Sequence, residues 1–233
     1  MIKTLETITH DFGGDIFIDV GGNVGQWTME LIGLYKKIYL IEPSSEAITQ
    51  AKENISGHCD FFNQPDLKYK VEYIKKICTD NSNGSMTIGT STADTGNFSV
   101  FAFDLYGNEN IEMIEHNIPT MKLDDLLLSI PDNSKITIKI DTEGCELSVL
   151  LGAKELIKKH KPVMCVEFHY HMNYDDNKHK EFDQLLAEVG YKIIQNPFAC
   201  YVYEEDRLWD HRHTGRDLQN LHFQSLYLPL YPD

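Results

Sequence analysis

No stretch of the 233-residue chain holds the ~20 consecutive apolar residues that a membrane span needs. The opening residues, Met1-Ile-Lys-Thr-Leu-Glu-Thr, lack the apolar core of a secretory signal, so a cytoplasmic location is expected. Basic residues are scarce. The 21 Lys plus Arg face 36 Asp plus Glu, a formal charge of −15. Such a surface repels polyanions, which argues against long nucleic acid as a partner. Cysteine is sparse and patternless. The five, at positions 59, 78, 145, 165 and 200, form no CxxC pair and are odd in number. This speaks against a disulfide framework or a zinc site and for reduced, buried thiols. Repeats and low-complexity tracts are missing too, and the length suits one α/β domain over residues 1–233.

What the chain does have is a regular alternation of apolar strands and amphipathic helices. Residues 16–20 read as a buried strand, 27–35 as a helix, 38–41 as a second strand, and 44–54 as a helix capped by Ser44. A third strand is expected at 69–77, a short capped helix at 121–130, and a fourth strand at 135–140. A helix at 147–159 ends in basic residues, and a fifth strand follows at 162–167. Phe182, Leu185, Leu186 and Val189 share a helical face that Gly190 closes, and 191–194 and 224–228 supply two last strands. The pattern predicts a doubly wound, Rossmann-like α/β fold with a mostly parallel seven-stranded sheet. Residues 85–117 break it, being rich in Ser, Thr and Gly with β-like stretches. They read as a β-rich insertion carrying a hairpin and a mobile loop, a candidate acceptor-binding lid.

In open α/β sheets ligands bind beyond the carboxyl ends of the strands, and this chain places acids there. The first strand runs into a glycine turn, Ile16-Phe-Ile-Asp-Val-Gly-Gly-Asn-Val-Gly25. The spacing Asp19-x-Gly21-x-Asn23-x-Gly25 differs from the dinucleotide fingerprint, and an acid ahead of the glycines repels a phosphate. A cationic ligand is welcomed instead. S-adenosylmethionine, with its sulfonium, its α-ammonium and no phosphate, fits. Gly21 and Gly25 give the turn its φ freedom, and Asn23 can brace the loop or contact the methionine carboxylate. Glu42 ends the second strand, where a carboxylate accepts two hydrogen bonds from ribose hydroxyls. Asp80 and the neighbouring Thr79 or Cys78, at the exit of the third strand, are candidates for the adenine edge. Asp141 and Glu143 end the fourth strand, and Glu167 and His169 end the fifth.

Several segments then occur in order. They are Phe17-Ile-Asp-Val-Gly-Gly-Asn-Val-Gly25, Leu40-Ile-Glu-Pro43, Leu123-Asp-Asp125, Lys139-Ile-Asp-Thr-Glu-Gly-Cys-Glu146, Leu151-Gly-Ala153, Val166-Glu-Phe-His169 and Glu188-Val-Gly-Tyr191. Together they resemble the FkbM-type methyltransferases over almost the whole chain, the Lys-Ile-Asp-x-Glu-Gly-x-Glu run most specifically. The resemblance implies the class I methyltransferase fold, S-adenosylmethionine as methyl donor, and a hydroxyl acceptor such as a sugar, glycolipid or polyketide. It maps the donor turn to Asp19, Gly21, Asn23 and Gly25, and the ribose acid to Glu42.

Methyl transfer to oxygen is an in-line displacement, and a sugar hydroxyl is a poor nucleophile until its proton is removed. Asp141, Glu143 and His169 are the candidates at one sheet edge, with Asp141 lining the reaction centre and Glu143 or His169 taking the proton. A divalent cation held by Asp141 and Glu167 is the other way to activate a hydroxyl, since carboxylates suit magnesium. The pairs His169/His171 and His211/His213 also read as ordinary loop residues, and Tyr201, Tyr203 and Trp209 as packing or a sugar-stacking surface. Two other functions were weighed. Lys139, Asp141, Lys154 and Glu167 loosely suggest a ribose 2′-O-methyltransferase acting on RNA, which the acidic balance opposes. A non-catalytic S-adenosylmethionine-binding module is opposed by the acids kept at every strand end.

Overall fold

The computed structural model describes residues 14–91, 94–99, 111–168, 176–195 and 223–229. In chain order its strands are β1 (Ile16–Val20), β2 (Lys37–Ile41), β3 (Val71–Ile74), β4 (Ile77–Cys78), β5 (Ser85–Ser91), β6 (Asp94–Ser99), β7 (Ile111–Met121), β8 (Ile136–Ile140), β9 (Val163–Phe168), β10 (Tyr191–Gln195) and β11 (Phe223–Pro229). The helices are α1 (Gln26–Leu31), α2 (Ser45–Phe61), α3 (Glu146–Leu151), α4 (Lys154–His160) and α5 (Asp176–Val189).

The main sheet runs β10-β11-β9-β8-β1-β2-β3. From β9 to β3 all neighbours are parallel, as expected of a doubly wound fold, and β11 and β10 join antiparallel at the edge. Strands β1 and β8 are buried along their whole length, because helices cover both faces. The period of two sorts their side chains. Phe17, Ile38 and Leu40 face Leu31, Tyr35, Ala51 and Ile55 on the α1–α2 side. Ile16, Ile18, Val20, Ile138 and Ile140 face Val149, Leu150, Leu156, Ile157 and Phe182 on the other. Among the described residues no helix is long and apolar enough to cross a membrane.

Five elements differ from the sequence expectation. The first helix ends at Leu31 and the second continues to Phe61. The third strand is interrupted. Pro65 opens a 3₁₀ turn to Lys70, Val71–Ile74 joins the main sheet, and Ile77–Cys78 leaves it to pair with Thr120 and Met121 of β7. The helix expected at 147–159 is split into α3 and α4 at Gly152, where a Cβ would lie 2.1 Å from the carbonyl oxygen of Thr79. The expected capped helix at 121–130 is a 3₁₀ turn, Leu123–Ser129.

The Leu-Asp-Asp and Leu-Gly-Ala segments meet at that split. Asp124 accepts from the N–H groups of Leu156 (2.8 Å) and Glu155 (3.2 Å), capping α4 across the chain, and its own N–H donates to Gly152 O at 3.0 Å. The described strands of the insertion, β5, β6 and β7, join β4 in a second sheet of order β4-β7-β5-β6.

Candidate active site

A cavity of about 340 Å³ opens at the carboxyl ends of β1, β2, β8 and β9. Its wall includes Val20, Gly21, Gly22, Asn23 and Trp27 from the turn and α1, and Glu42 and Pro43 after β2. Lys76, Ile77, Cys78 and Ile88 contribute further along, and Lys139, Asp141, Thr142, Glu143, Cys145 and Glu167 complete it.

The turn is shaped by backbone bonds. The N–H groups of Gly21 and Gly22 donate to Ile41 O at 2.9 and 3.2 Å, and Gly25 N–H donates to Gly22 O at 2.8 Å. Gly21 has φ 72°, and a Cβ on it would stand 1.7 Å from Asp141 O, so only glycine fits. Asn23, at φ 45°, aims its N–H at Oε2 of Glu42 (3.0 Å), while Ser44 N–H donates to Oε1 (2.9 Å). Burial pushes the Glu42 carboxyl from its ordinary 4.5 up to about 7, against the pull of those two N–H groups.

Asp19 works from behind the turn rather than on the cavity wall. Its Oδ2 accepts from the Thr28 hydroxyl at 2.8 Å. Its buried Oδ1 has no hydrogen-bond partner among the described residues and lies 3.9 Å from Lys139 Nζ. Burial raises the Asp19 pKa, with the Lys139 charge opposing. Asp19 thus supports the glycine turn from behind, with the Lys139 ammonium as the cation nearest its open oxygen.

Lys139 joins the two halves of the cavity. Its ammonium donates to Gly21 O at 3.1 Å and sits 3.2 Å from Asp141 Oδ2. Burial alone would lower its pKa, but Asp141 and Asp19 more than offset that, and the net direction is upward. The ammonium therefore stays charged. The following loop is braced by the buried Glu146, whose Oε1 accepts from Thr142 N–H (3.2 Å), Thr142 Oγ1 (3.1 Å) and Gly144 N–H (2.9 Å). The brace holds Glu143 at φ 53° on the cavity wall.

The site thus assembles Gly21, Asn23, Glu42, Asp141, Glu143 and Glu167 around one cavity, with Asp19 and Gly25 supporting the turn. Thr79 and Asp80 do not line the cavity. The Thr79 hydroxyl is bonded to Asn81 within its own turn, and Asp80 pairs with Lys178 at 3.2 Å. Of the three residues expected at that exit only Cys78 lines the cavity, next to Ile77. The proposed metal pair also needs correction. Asp141 and Glu167 share the wall, but Lys139 supplies the cation beside Asp141. No group of three His, Cys, Asp or Glu among the described residues is arranged to hold a metal. Lys154 of the RNA-type set pairs with Glu181 on the helical face instead. His169, His171, Cys200, Tyr201, Tyr203, Trp209, His211 and His213 lie outside the described residues. Cys59, Cys78, Cys145 and Cys165 are free thiols, and burial pushes Cys145 and Cys165 up to about 12.

From the sequence Lys139 stood out only as a member of the RNA-type set, and Glu146 and Trp27 carried no role of their own. The signal for Lys139 was present, since alternation puts it on the Asp141 face of β8.

The strand order and the cavity at the glycine turn define the class I methyltransferase fold. The model of the methyltransferase FkbM domain matches residues 19–193, and the chain belongs to that family. Among solved structures it is similar to the methyltransferase FkbM of Methylobacillus flagellatus, with a TM-score of 0.51 and 20% identity over 93% of this chain. It spans only 44% of that longer protein. It is also similar to the O-methyltransferase TomG of Streptomyces achromogenes, involved in tomaymycin synthesis and solved with S-adenosylmethionine. There the TM-score is 0.52 and the identity 10%, over 98% of this chain and 78% of that one. At such identities the likeness is one of fold. No curated protein sequence matches the chain.

Proposed function

We propose that this chain is an S-adenosylmethionine-dependent O-methyltransferase whose acceptor is a hydroxyl of a sugar, glycan or similar small molecule. The observation that carries the proposal is one cavity lined both by the glycine turn with Glu42 and by Asp141, Glu143 and Glu167. When bound, S-adenosylmethionine supplies a methyl group activated by a positive sulfur. The remaining tasks fall to the chain. The turn and Glu42 hold the donor. Asp141, pinned by Lys139, orients the acceptor hydroxyl, and Glu143 takes its proton. His169 is the alternative proton acceptor on the sequence alone. Acidic walls favour a neutral acceptor over a phosphorylated one. The four described free thiols support a cytoplasmic setting.

The test is a mass-spectrometric screen of glycan and nucleoside acceptors with isotope-labelled donor, together with calorimetry of S-adenosylhomocysteine binding. Binding with label on a sugar hydroxyl is the expected result. Transfer only to RNA, or binding without any transfer, would replace the proposal with one of the two other functions.

A further inference from the structure

The cavity has two ends. One lies over β1, β2 and β3 and carries the turn, Glu42 and Lys76–Cys78; the other lies over β8 and β9 and carries Asp141, Glu143 and Glu167. The inserted sheet is fastened to the first. Strand β4 pairs with β7, and Thr79 N–H donates to Met121 O at 2.8 Å. Glu115 of β7 accepts from Ser45 N–H at 2.7 Å and from the Ser45 hydroxyl at 3.1 Å, and it pairs with Lys75 at 2.7 Å. Ser45 begins α2, three residues after Glu42, so this carboxylate clamps the insertion beside the expected ribose acid. Between the clamp and the strand pairs, Ile88 packs on Ile77 and Ile118 at 1% exposure, and it still contributes to the cavity wall. Ile41, Ile77, Cys78 and Ile88 together present an apolar surface next to Glu42.

We infer that the inserted sheet is a fixed wall of the donor pocket rather than a lid over the acceptor, and that Ile88 belongs to the apolar face on which the adenine base packs. The inference rests on the S-adenosylmethionine reading above. A planar base needs an apolar face near a polar ribose contact, and this end of the cavity supplies both. The three fastenings keep that face in place before any ligand arrives.

Calorimetry with S-adenosylhomocysteine and with adenosine tests it on the full chain. Ile88→Ala should weaken both ligands by a similar factor of about ten, the size expected for one buried apolar side chain. Glu115→Ala, an uncoupling of the clamp at a partly exposed site, should weaken both by about fivefold and keeps the test decisive if Ile88→Ala fails to fold. Affinities within twofold of wild type in the folded variants, or loss for S-adenosylhomocysteine with adenosine unaffected, would overturn the inference alone. Wild-type protein that binds neither ligand would overturn the donor reading and the inference with it.

Discussion

The Lys139 ammonium lies 3.2 Å from Oδ2 of Asp141 while donating to the carbonyl of Gly21 at 3.1 Å. One buried cation thereby ties the glycine turn after β1 to the end of β8. Lys139→Met would leave Asp19 and Asp141 without their counter-charge. Removing one partner of a buried pair costs about 3–5 kcal/mol, so the urea midpoint should fall steeply and donor affinity with it. A midpoint equal to wild type would show that the pairing contributes nothing to the fold.

At the other end of the cavity the two wall acids should separate in kinetics. Glu143→Gln should lower kcat by about 10²–10⁴, the range for loss of a general base, with S-adenosylhomocysteine affinity unchanged. Asp141→Asn should also spare donor binding while depressing turnover. Full kcat in Glu143→Gln would pass the proton-accepting role to His169.

Glu42 gives a pH signature. Its carboxyl is raised from 4.5 to about 7 in the folded chain by burial. An acid with a raised folded pKa contributes stability that is complete below the unfolded value and is lost as pH rises through the folded one. The melting temperature of the unliganded protein should therefore drop as pH climbs from about 4.5 past about 7, and Glu42→Gln should flatten that slope. Ribose hydroxyls would donate to the ionised carboxylate and lower its pKa. Donor binding near neutral pH should then release a proton, detectable as a dependence of calorimetric heat on buffer ionisation enthalpy.

Two glycines should respond in opposite ways to the same substitution. Gly21→Ala puts a Cβ 1.7 Å from Asp141 O and should abolish S-adenosylhomocysteine binding. Gly57 sits inside α2 with nothing within 4 Å of its would-be Cβ. Gly57→Ala should raise stability by about 0.5–1 kcal/mol in urea titrations, as better helix propensity predicts.

The central sheet was legible in the sequence because β1, β2, β8 and β9 are short apolar runs that end in acids or polar turns, a pattern with few alternative folds. Glu42 and Asp141 were legible for the same reason, since position at a strand end is a local property. The exit of the third strand was not. Whether Cys78 or Asp80 faces the cavity depends on where the chain leaves the main sheet, and that is set by pairing with β7 some forty residues on. The split between α3 and α4 was hidden likewise, because Gly152 is tolerable in a helix and the oxygen that crowds it belongs to Thr79. Alternation puts Lys139 on the Asp141 face of β8, but its approach to Asp19 and to Gly21 O crosses to β1 and shows only in space.

The bonds from Asn23 and Ser44 to the two oxygens of Glu42 set the entropy of recognition. Each holds a carboxylate oxygen through one lone pair and leaves another open to a ligand. The side chain is frozen into one rotamer during folding, so a ligand reaching it finds a receptor already ordered. The about 1.5 kcal/mol or more that a mobile Glu side chain would forfeit on binding is charged to the fold instead.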